Sequence, residues 1–310
     1  MSLVVLAPGV FTTIQDLGRD RFRSRGVPIG GAFDASSAAI ANALVGNPFE
    51  SAVLEMTFLG GTFEATAPLA LALCGAPMSA SVRRKRGPDT VLDAPIAFPI
   101  NPGEQLMIGG TSTGARTYLA VRGGWRTEEI LGSRSSEKPL KSGDVLACES
   151  STTPIRRLRD THEPLPITLR VVDGPDVALV DPSWIDPERI YRVDPRSDRM
   201  GVRLDGPPCD VRDDHERLST PVSPGAVQMA GGIPLVLGVA CGTMGGYPHV
   251  AQVISADFAK LAQTRPGDSI RFERISLTEA RILNLTWRSA LRNRCLAIRA
   301  AALDLSSNSS

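Results

Sequence analysis

The sequence has little net charge and no long apolar run. Its 310 residues carry 34 Lys and Arg against 33 Asp and Glu, a formal net charge of +1. Such a chain exerts no long-range attraction on nucleic acid or on an anionic membrane, so neither partner is favoured. No apolar stretch approaches a membrane-spanning length, and the N-terminal apolar run lacks the basic segment and the length of a signal peptide. We therefore expect a soluble, cytoplasmic protein.

Cysteine and histidine are also scarce, and they are scattered. The five cysteines include no C-x-x-C pair, and their odd number argues against a complete disulfide framework, so we expect reduced thiols. The three histidines, His162, His215 and His249, show no ligand spacing with the cysteines, and no metal site is expected. His162 and His215 lie in polar loops. Only His249, directly after Tyr247-Pro248, is a candidate hydrogen-bonding group at a pocket edge.

The common signatures of hydrolases and nucleotide-binding proteins are missing. H-E-x-x-H, G-x-S-x-G and G-x-x-x-x-G-K-[ST] do not occur. The nearest approach to a phosphate loop runs from Gly109 to Arg116, between two predicted strands. A phosphate loop must open a helix, so we interpret this segment as a hairpin loop. The one tight basic cluster, 83–86, precedes Gly87-Pro88-Asp89 and predicts a solvated hairpin tip.

Glycine and proline are abundant, at 29 and 24, and short apolar runs alternate with turn signals. This pattern predicts a mainly β fold with a few short helices. Three turn-then-strand segments share a Gly-acid pair, which suggests two similar β units; they start at Pro102, Ser142 and Pro266. Capping residues predict helices at 35–44 after Asp34, at 256–263 after Ser255, and from Ser276 towards the C-terminus.

The polar, proline-bearing segment 150–166 separates two β-rich regions. We place the domains at 1–160 and 166–290, with the end of a C-terminal helix and a tail at 291–310. In the second region, the apolar run 233–240 is followed by the segment Gly242 to Ile254, "GTMGGYPHVAQVI". A glycine-rich loop held between two strands is a good place for chemistry.

Six stretches, in order, resemble the biotin-dependent carboxyltransferase family, also described as the allophanate hydrolase subunit 2 or 5-oxoprolinase C-subunit family. The resemblance covers the chain from Gly9 to about Ala280. The stretches are "PGVFTTIQDLGRDRFRSRGVPIGGAFD" (8–34), "ANALVGNPFESAVLE" (41–55), "GARTYLAVRGG" (114–124), "LGSRSS" (131–136), "SDRMGVRLDGP" (197–207) and "GGYPHVAQVISADFAKLAQTRPGDSIRF" (245–272).

The resemblance implies two cyclophilin-like β-barrel units with a few short helices and a C-terminal helix. It also implies a subunit of an ATP-dependent 5-oxoprolinase, a hydrolase that converts the cyclic amide 5-oxo-L-proline to L-glutamate. ATP would be bound by this chain or by a partner. The implied partners are a kinase-inhibitor-like subunit of the allophanate hydrolase subunit 1 type and a LamB/YcsF-type subunit. The alternative is a carboxyltransferase component of a biotin-dependent urea carboxylase, with biotin borne on a carrier.

Attack on a planar amide needs donors where oxyanion charge grows, and the matching stretches supply candidates. The predicted catalytic residues are Asp16, Arg19 and Tyr247, and the predicted substrate-binding residues are Gln15, Gly30, Gly31, Asp34, Arg199, Gly245, Gly246, Pro248 and His249. Plainer interpretations stay open. Arg19 could pair with Asp16, Asp34 could be a simple helix cap, and the Gly-Gly-Tyr-Pro bend could be a hairpin with a buried tyrosine.

Two departures from the family pattern bear on activity. Members usually have Asp-x-Gln-Thr-Thr before Gly-Gly-Tyr-Pro, whereas this chain has Ala240-Cys241-Gly242-Thr243-Met244. An alanine cannot carry or orient a proton, so activity could be lost. A glycine-rich insertion after "LGSRSS" is also missing. A third hypothesis follows from these departures, namely a non-catalytic binding partner of a kinase-inhibitor-like protein.

Overall fold

The computed structural model describes residues 1–158, 167–212 and 217–307, the last four of these by their backbone alone. His162, His215 and part of the predicted boundary segment lie outside the described residues. The chain divides into two compact units. Unit 1 comprises Met1–Gly18, Asp34–Thr161 and Leu291–Ser310, and unit 2 comprises Arg19–Phe33 and His162–Ala290. The domain boundaries at 160 and 166 stay a prediction.

Unit 1 is built, in its described part, from two six-stranded sheets with the orders β11-β1-β4-β9-β6-β7 and β12-β8-β5-β10-β3-β2. Apolar side chains such as Phe63, Leu71 and Leu119 are fully buried in its core. The strands are β1 Ser2–Ala7, β2 Phe11–Gln15, β3 Val53–Thr57, β4 Thr62–Ala65, β5 Leu69–Gly75, β6 Ala80–Arg83, β7 Thr90–Leu92, β8 Ile96–Ile100, β9 Gln105–Ile108, β10 Arg116–Val121, β11 Val145–Ala147 and β12 Arg156–Arg157.

Helix α1, Ala35–Leu44, lies against strands β5 and β10 of unit 1. Its sequence is rich in alanine and serine, and small side chains let a helix approach a sheet closely. Asp34 caps it as predicted, because its carboxylate accepts the Ser37 N–H at 3.0 Å. Strand β3 is buried along its whole length, which explains why its sequence does not alternate between apolar and polar residues.

Unit 2 contains a closed barrel in the order β13-β20-β17-β18-β15-β14-β21, with the parallel pair β13 and β21 closing it. A short ribbon of β16 and β19 is separate from the barrel. Together with unit 1, this barrel confirms the mainly β fold class. The strands are β13 Ile167–Asp173, β14 Tyr191–Val193, β15 Gly201–Asp205, β16 Thr220–Pro221, β17 Ala226–Ala230, β18 Ile233–Leu237, β19 Met244–Gly245, β20 His249–Val253 and β21 Ser269–Arg274.

Of the other two predicted helices, one is shorter than expected and one starts where expected. The helix expected at 256–263 is a 3-10 turn, Ser255–Asp257, followed by the short α2, Phe258–Ala262. Helix α3, Leu277–Ser307, starts as predicted, with the Ser276 hydroxyl accepting the Glu279 N–H at 3.1 Å. Further 3-10 turns lie at Asp20–Arg25, Val177–Leu179 and Pro182–Ile185. Within the described ranges, no helix combines the length and the apolar character that crossing a membrane requires.

A buried ion pair joins the turn before α2 to the barrel. The Asp257 carboxylate is fully buried and accepts hydrogen bonds from the backbone N–H, Nε and Nη2 of Arg170 at 2.9, 2.8 and 2.6 Å. Burial alone would raise the pKa of Asp257, but these hydrogen bonds outweigh it and hold the pKa below its usual value. Asp257 therefore stays ionised and fixes the turn.

Three tight turns share one geometry and confirm the turn-then-strand prediction. In Arg265 to Asp268, the last N–H bonds the first carbonyl at 3.0 Å, and the Asp268 carboxylate accepts the first N–H at 2.8 Å. The glycine at the third position has φ 88°, a conformation that other residues rarely adopt. The same bonds recur in the turns 101–104 and 141–144, and a strand begins directly after each of the three.

The segment from Gly109 to Arg116 is not a hairpin loop, so that prediction was wrong. Strand β9 before it pairs with β4 and β6, whereas β10 after it pairs with β3 and β5, so the segment crosses from one sheet to the other. A Cβ at Gly109 would lie 2.3 Å from the Ser79 Oγ, so this glycine marks a close approach of two chain segments rather than a tight turn. The basic cluster at 83–86 does lie at a hairpin tip, between β6 and β7.

Candidate functional site

A row of buried polar residues crosses the second sheet of unit 1. Thr13, Glu55, Tyr118 and Cys74 stand opposite one another on β2, β3, β10 and β5. Opposed residues in a sheet point to the same face, so these four side chains form one line. All four are buried, and the face opposite theirs carries the apolar residues of the core.

Tyr118 is at the centre of a buried hydrogen-bond chain within this row. Its hydroxyl accepts the backbone N–H of Asp34 at 2.7 Å and donates to Glu55 Oε2 at 2.8 Å. On the other side of the carboxylate, Arg116 Nε lies 3.5 Å from Glu55 Oε1. Burial, and then the neighbouring Glu55 charge, raise the pKa of Tyr118 well above its usual value, so the hydroxyl stays protonated and keeps donating.

Gln15 extends the polar row at the end of β2. Its Nε2 donates to the Thr13 hydroxyl and to the Ser136 carbonyl, both at 2.9 Å. Its Oε1 is buried and has no hydrogen-bond partner in the part of the chain that the structure describes. Leaving a buried amide oxygen without a donor costs free energy. Gln15 Oε1 can therefore accept a hydrogen bond from an N–H or O–H group of a ligand, or from water. Of the predicted substrate-binding residues, Gln15 therefore retains an available polar atom.

Asp16 binds the loop that carries the "LGSRSS" stretch. Its Oδ1 accepts hydrogen bonds from the Gly18 N–H at 2.7 Å, the Ser133 hydroxyl at 2.6 Å and the Ser135 hydroxyl at 2.9 Å. Its Oδ2 accepts the Arg134 N–H at 2.5 Å. A carboxylate with four donors is an anchor for a loop. The predicted catalytic role of Asp16 stays a prediction, and these contacts favour a structural role.

In unit 2, the predicted residues of segment 19–33 are held mainly by backbone contacts. Arg199 is buried, and its Nη2 donates to the Gly31 carbonyl at 2.8 Å. The Gly30 N–H bonds the Val239 carbonyl at 3.0 Å, and the Arg19 N–H bonds the Ile29 carbonyl at 2.8 Å. Arg199 therefore braces the turn at Gly30 and Gly31, whose φ angles are 65° and 88°.

The Gly-Gly-Tyr-Pro bend of unit 2 rests on Gln228 of β17. The buried Gln228 amide donates from Nε2 to the Tyr247 carbonyl at 3.0 Å. A Cβ at Gly245 would lie 2.4 Å from that Nε2, so a larger residue at position 245 must displace the Gln228 amide. At Gly246 the nearest atom to an added Cβ is 3.7 Å away, which is ordinary contact. Tyr247 is 50% exposed, so the alternative of a buried tyrosine is wrong.

His249 follows the bend and contacts an acidic residue through its backbone. The His249 N–H donates to Asp176 Oδ2 at 2.8 Å, and Arg217 Nη2 donates to the same oxygen. The His249 Nε2 is buried, and within residues 1–158, 167–212 and 217–307 it has no hydrogen-bond partner. Burial lowers the pKa of His249, which keeps the ring neutral near pH 7. The ring fits the predicted role of a neutral hydrogen-bonding group.

A cavity of about 170 Å³ lies beside this bend in unit 2. Its polar lining residues are Asp198, Arg203, Gln228 and Cys241. Its other lining residues are Met200, Gly201, Val222, Leu235, Leu237, Gly242 and Met244. In the described part of the chain, no group of three or more His, Cys, Asp or Glu side chains is placed to hold a metal ion.

The predicted site residues fall into separate groups in the two units. In unit 1, Gln15 and Asp16 hold the segment 133–136, and the Asp34 backbone bonds the polar row through Tyr118. The predicted residues of unit 2 lie at the brace on Arg199 or in and directly after the bend, except Arg19, whose N–H bonds the Ile29 carbonyl. Sequence reasoning missed Glu55, Tyr118 and Gln228. All three share a signal that could have found them, since each is a polar side chain inside a buried, largely apolar strand.

These features define a two-unit, mainly β protein with polar sites in both units. The family model "Carboxyltransferase domain, subdomain A and B" matches residues 25–274, so the chain belongs to this family. It is 34% identical to the C-subunit of Escherichia coli 5-oxoprolinase over 295 residues, which cover 90% of this chain and 93% of that protein. It is 31% identical to the urea amidolyase of Lachancea kluyveri, covering 90% of this chain but 17% of that protein.

Comparison with solved structures also shows similarity to urea amidolyase and urea carboxylase. The Kluyveromyces lactis urea amidolyase superimposes with a TM-score of 0.81 and 28% identity, covering 94% of this chain and 20% of that one. The urea carboxylase of the same organism also has a TM-score of 0.81 and 28% identity, covering 94% of this chain and 29% of that one. The chain therefore spans about a fifth to a third of the length of these two relatives.

Proposed function

We propose that this chain is a cytoplasmic subunit of an ATP-dependent 5-oxoprolinase, which hydrolyses 5-oxo-L-proline to L-glutamate together with partner subunits. One observation carries the proposal. The correspondence with the Escherichia coli 5-oxoprolinase C-subunit extends over 90% of this chain and 93% of that protein, so the two chains match almost end to end. The urea amidolyase of Lachancea kluyveri, by contrast, contains a related segment as 17% of a longer chain.

The described residues fit a role in binding and orienting a lactam. Water adds to the ring carbonyl carbon, the ring C–N bond breaks and the nitrogen takes a proton, which gives glutamate. The Tyr247 side chain is half exposed, and its hydroxyl can donate to the carbonyl oxygen as negative charge grows on it. The neutral His249 lies two residues further on and offers its buried Nε2.

ATP belongs, in this proposal, to a partner subunit. A phosphate loop requires backbone N–H groups at the start of a helix. The glycine-rich segment from Gly109 to Arg116 joins two strands instead, in two different sheets. The residues of this segment therefore do not fit the triphosphate, and no step of the reaction is assigned to ATP on this chain.

The test is reconstitution. The chain is combined with a kinase-inhibitor-like subunit of the allophanate hydrolase subunit 1 type and with a LamB/YcsF-type subunit. We expect ATP hydrolysis and glutamate formation that both depend on 5-oxo-L-proline and on all components. If the partners co-purify with this chain and the complex still shows no 5-oxoproline-dependent turnover, the proposal is rejected.

A second candidate is a carboxyltransferase component that uses biotin on a carrier protein. It is favoured by the TM-score of 0.81 to the Kluyveromyces lactis urea carboxylase over 94% of this chain. Gly246 has space for a close ligand, and Tyr247 presents a ring face on which a ureido ring could stack. This function predicts calorimetric binding of biotin or of a biotinylated carrier, and absence of binding to both argues against it.

A third candidate, a non-catalytic partner of a kinase-inhibitor-like protein, rests on Ala240 and Gly242. The Ala240 N–H bonds the Arg199 carbonyl at 3.0 Å, but the alanine side chain cannot carry a proton. Replacing Ala240 with Asp separates the possibilities. A weakened enzyme is expected to gain turnover, whereas a binding protein gains none and keeps its affinity for the partner.

A further inference from the structure

The cavity of unit 2 has a defined floor on the outside of the barrel. Val202 and Val236 pair across β15 and β18, and both side chains are in the barrel core. Their neighbours along the strands, Arg203 and Leu235, pair with each other and therefore face outwards. Leu235 in turn pairs with Gln228 on β17. The three residues form one row, with Arg203 and Gln228 on either side of an apolar floor.

The spacing of this row suits a small ligand. Neighbouring strands lie about 4.8 Å apart, so the backbones of Arg203 and Gln228 are roughly 10 Å apart. The cavity volume is about 170 Å³. An apolar cavity of about 150 Å³ in another protein holds benzene, so this one can hold a five- or six-membered ring.

The polar groups at the two ends of the row differ: Gln228 offers a hydrogen-bond acceptor and Arg203 offers donors. Gln228 uses its Nε2 for the Tyr247 carbonyl, which fixes the amide orientation and leaves Oε1 as an acceptor without a donor among the described residues. The Arg203 guanidinium forms no hydrogen bond or ion pair with any side chain in the described ranges, although it lines the cavity. Asp198 also lines it, but its Oδ1 accepts the Met200 and Gly201 N–H groups at 2.8 and 3.2 Å.

Two neighbouring positions determine what the cavity can hold. Gly242 lines it, and an added Cβ there would have its nearest neighbour 3.6 Å away, so a larger side chain would fit the backbone but reduce the space. Burial raises the pKa of the Cys241 thiol to about 11, which leaves the sulfur protonated and a poor nucleophile near pH 7. A ligand would therefore be held without a covalent bond.

We propose that this cavity binds a small planar amide that carries a carboxylate, with the carboxylate on Arg203, the amide N–H on Gln228 Oε1 and the ring over Leu235. A guanidinium matches a carboxylate with two parallel hydrogen bonds, and a free amide oxygen matches a single N–H donor. The identity of the ligand, a lactam acid such as 5-oxo-L-proline, rests on the proposed function. The position of the site rests on the cavity alone.

The test is calorimetry of 5-oxo-L-proline with the full chain, without partners or ATP. Arg203→Gln is expected to weaken binding about 10- to 100-fold, since it removes a charge-assisted pair. Gly242→Gln is expected to weaken it at least about tenfold by filling the cavity. Arg192→Gln is the matched control, because Arg192 is an exposed arginine on the neighbouring strand β14 and does not line the cavity. Circular dichroism and thermal unfolding check that each variant folds.

Each outcome of this experiment either supports or overturns the proposed site. No binding to the wild-type chain, or equal binding by the wild type and both cavity variants, overturns the proposal. 2-Pyrrolidinone, which lacks the carboxylate, is expected to bind more weakly than 5-oxo-L-proline and to be insensitive to Arg203→Gln. Binding of biotin in place of the lactam, with the same sensitivity to both variants, retains the site but supports the carboxyltransferase function.

The same variants separate the site from the proposed function. If the reconstituted complex shows no turnover while Arg203→Gln and Gly242→Gln still weaken binding, the cavity stands and the proposed function fails. If the complex turns over 5-oxo-L-proline with an unchanged KM in both variants, the function stands and the cavity assignment is wrong. If both the site and the function are correct, KM is raised in both cavity variants and unchanged in Arg192→Gln.

Discussion

Replacing Asp16 with Asn tests whether this residue holds a loop or takes part in chemistry. The carboxylate accepts four hydrogen bonds, three on Oδ1 from Gly18, Ser133 and Ser135 and one on Oδ2 from the Arg134 N–H. An Asn side chain keeps one oxygen, and the best arrangement leaves that oxygen with the three donors. Its amide nitrogen then faces the Arg134 N–H, so two donors oppose each other.

The expected cost follows from that single lost bond. A hydrogen bond to a charged group contributes about 1.5 to 3 kcal/mol, and the partial exposure of Asp16 favours the lower part of that range. We therefore expect the free energy of local opening at Arg134 to fall by about 2 kcal/mol. Since about 1.4 kcal/mol corresponds to a factor of ten, amide hydrogen exchange at Arg134 is expected to accelerate about 30-fold.

The assay is hydrogen exchange of the peptide that spans Arg134, compared with one from β10, together with turnover of the reconstituted complex. Asp93→Asn is the matched control, because Asp93 is exposed in the same unit and makes no side-chain hydrogen bond in the described part of the chain. If Asp16 were catalytic, the Asn variant would lose turnover while hydrogen exchange at Arg134 stayed the same. Unchanged exchange at Arg134 with turnover lost would refute the anchoring role and restore the predicted catalytic one.

Three further changes probe the rest of the framework. Tyr118→Phe removes a buried hydroxyl that joins a carboxylate to a helix-cap N–H, and urea unfolding is expected to show a loss of about 2 kcal/mol. Asp257→Ala should cost about 3 kcal/mol at pH 7. The pKa of Asp257 is lowered in the folded state, so its contribution is present above about pH 4 and lost as pH falls further; the variant should therefore lose less stability in acid. Gly245→Ala should displace Gln228 and destabilise the bend, whereas Gly246→Ala should not, as thermal unfolding can measure.

Local sequence patterns were enough to predict much of the framework. The cap at Asp34, the start of α3 at Ser276 and the three Gly-acid turns depend on residues within about four positions of each other, and all are confirmed. The mainly β class also followed from short apolar runs and turn residues. The α-helix expected at 256–263 was predicted too long: its first turn is a 3-10 turn, in which Asp257 bonds Arg170 of strand β13.

The sites depend on register between distant strands, which no local pattern specifies. Tyr118 meets Glu55 because β10 and β3 pair with that alignment, and Arg203 lies beside Leu235 for the same reason in unit 2. A shift of one residue would turn every one of these side chains to the opposite face. The sequence nevertheless contains a usable constraint: a lone charged or amide residue in a buried strand needs a hydrogen-bond partner elsewhere in the fold. Searching apolar strands for such residues would have identified Glu55 and Gln228, whereas the resemblance to the family pointed to the loops around them.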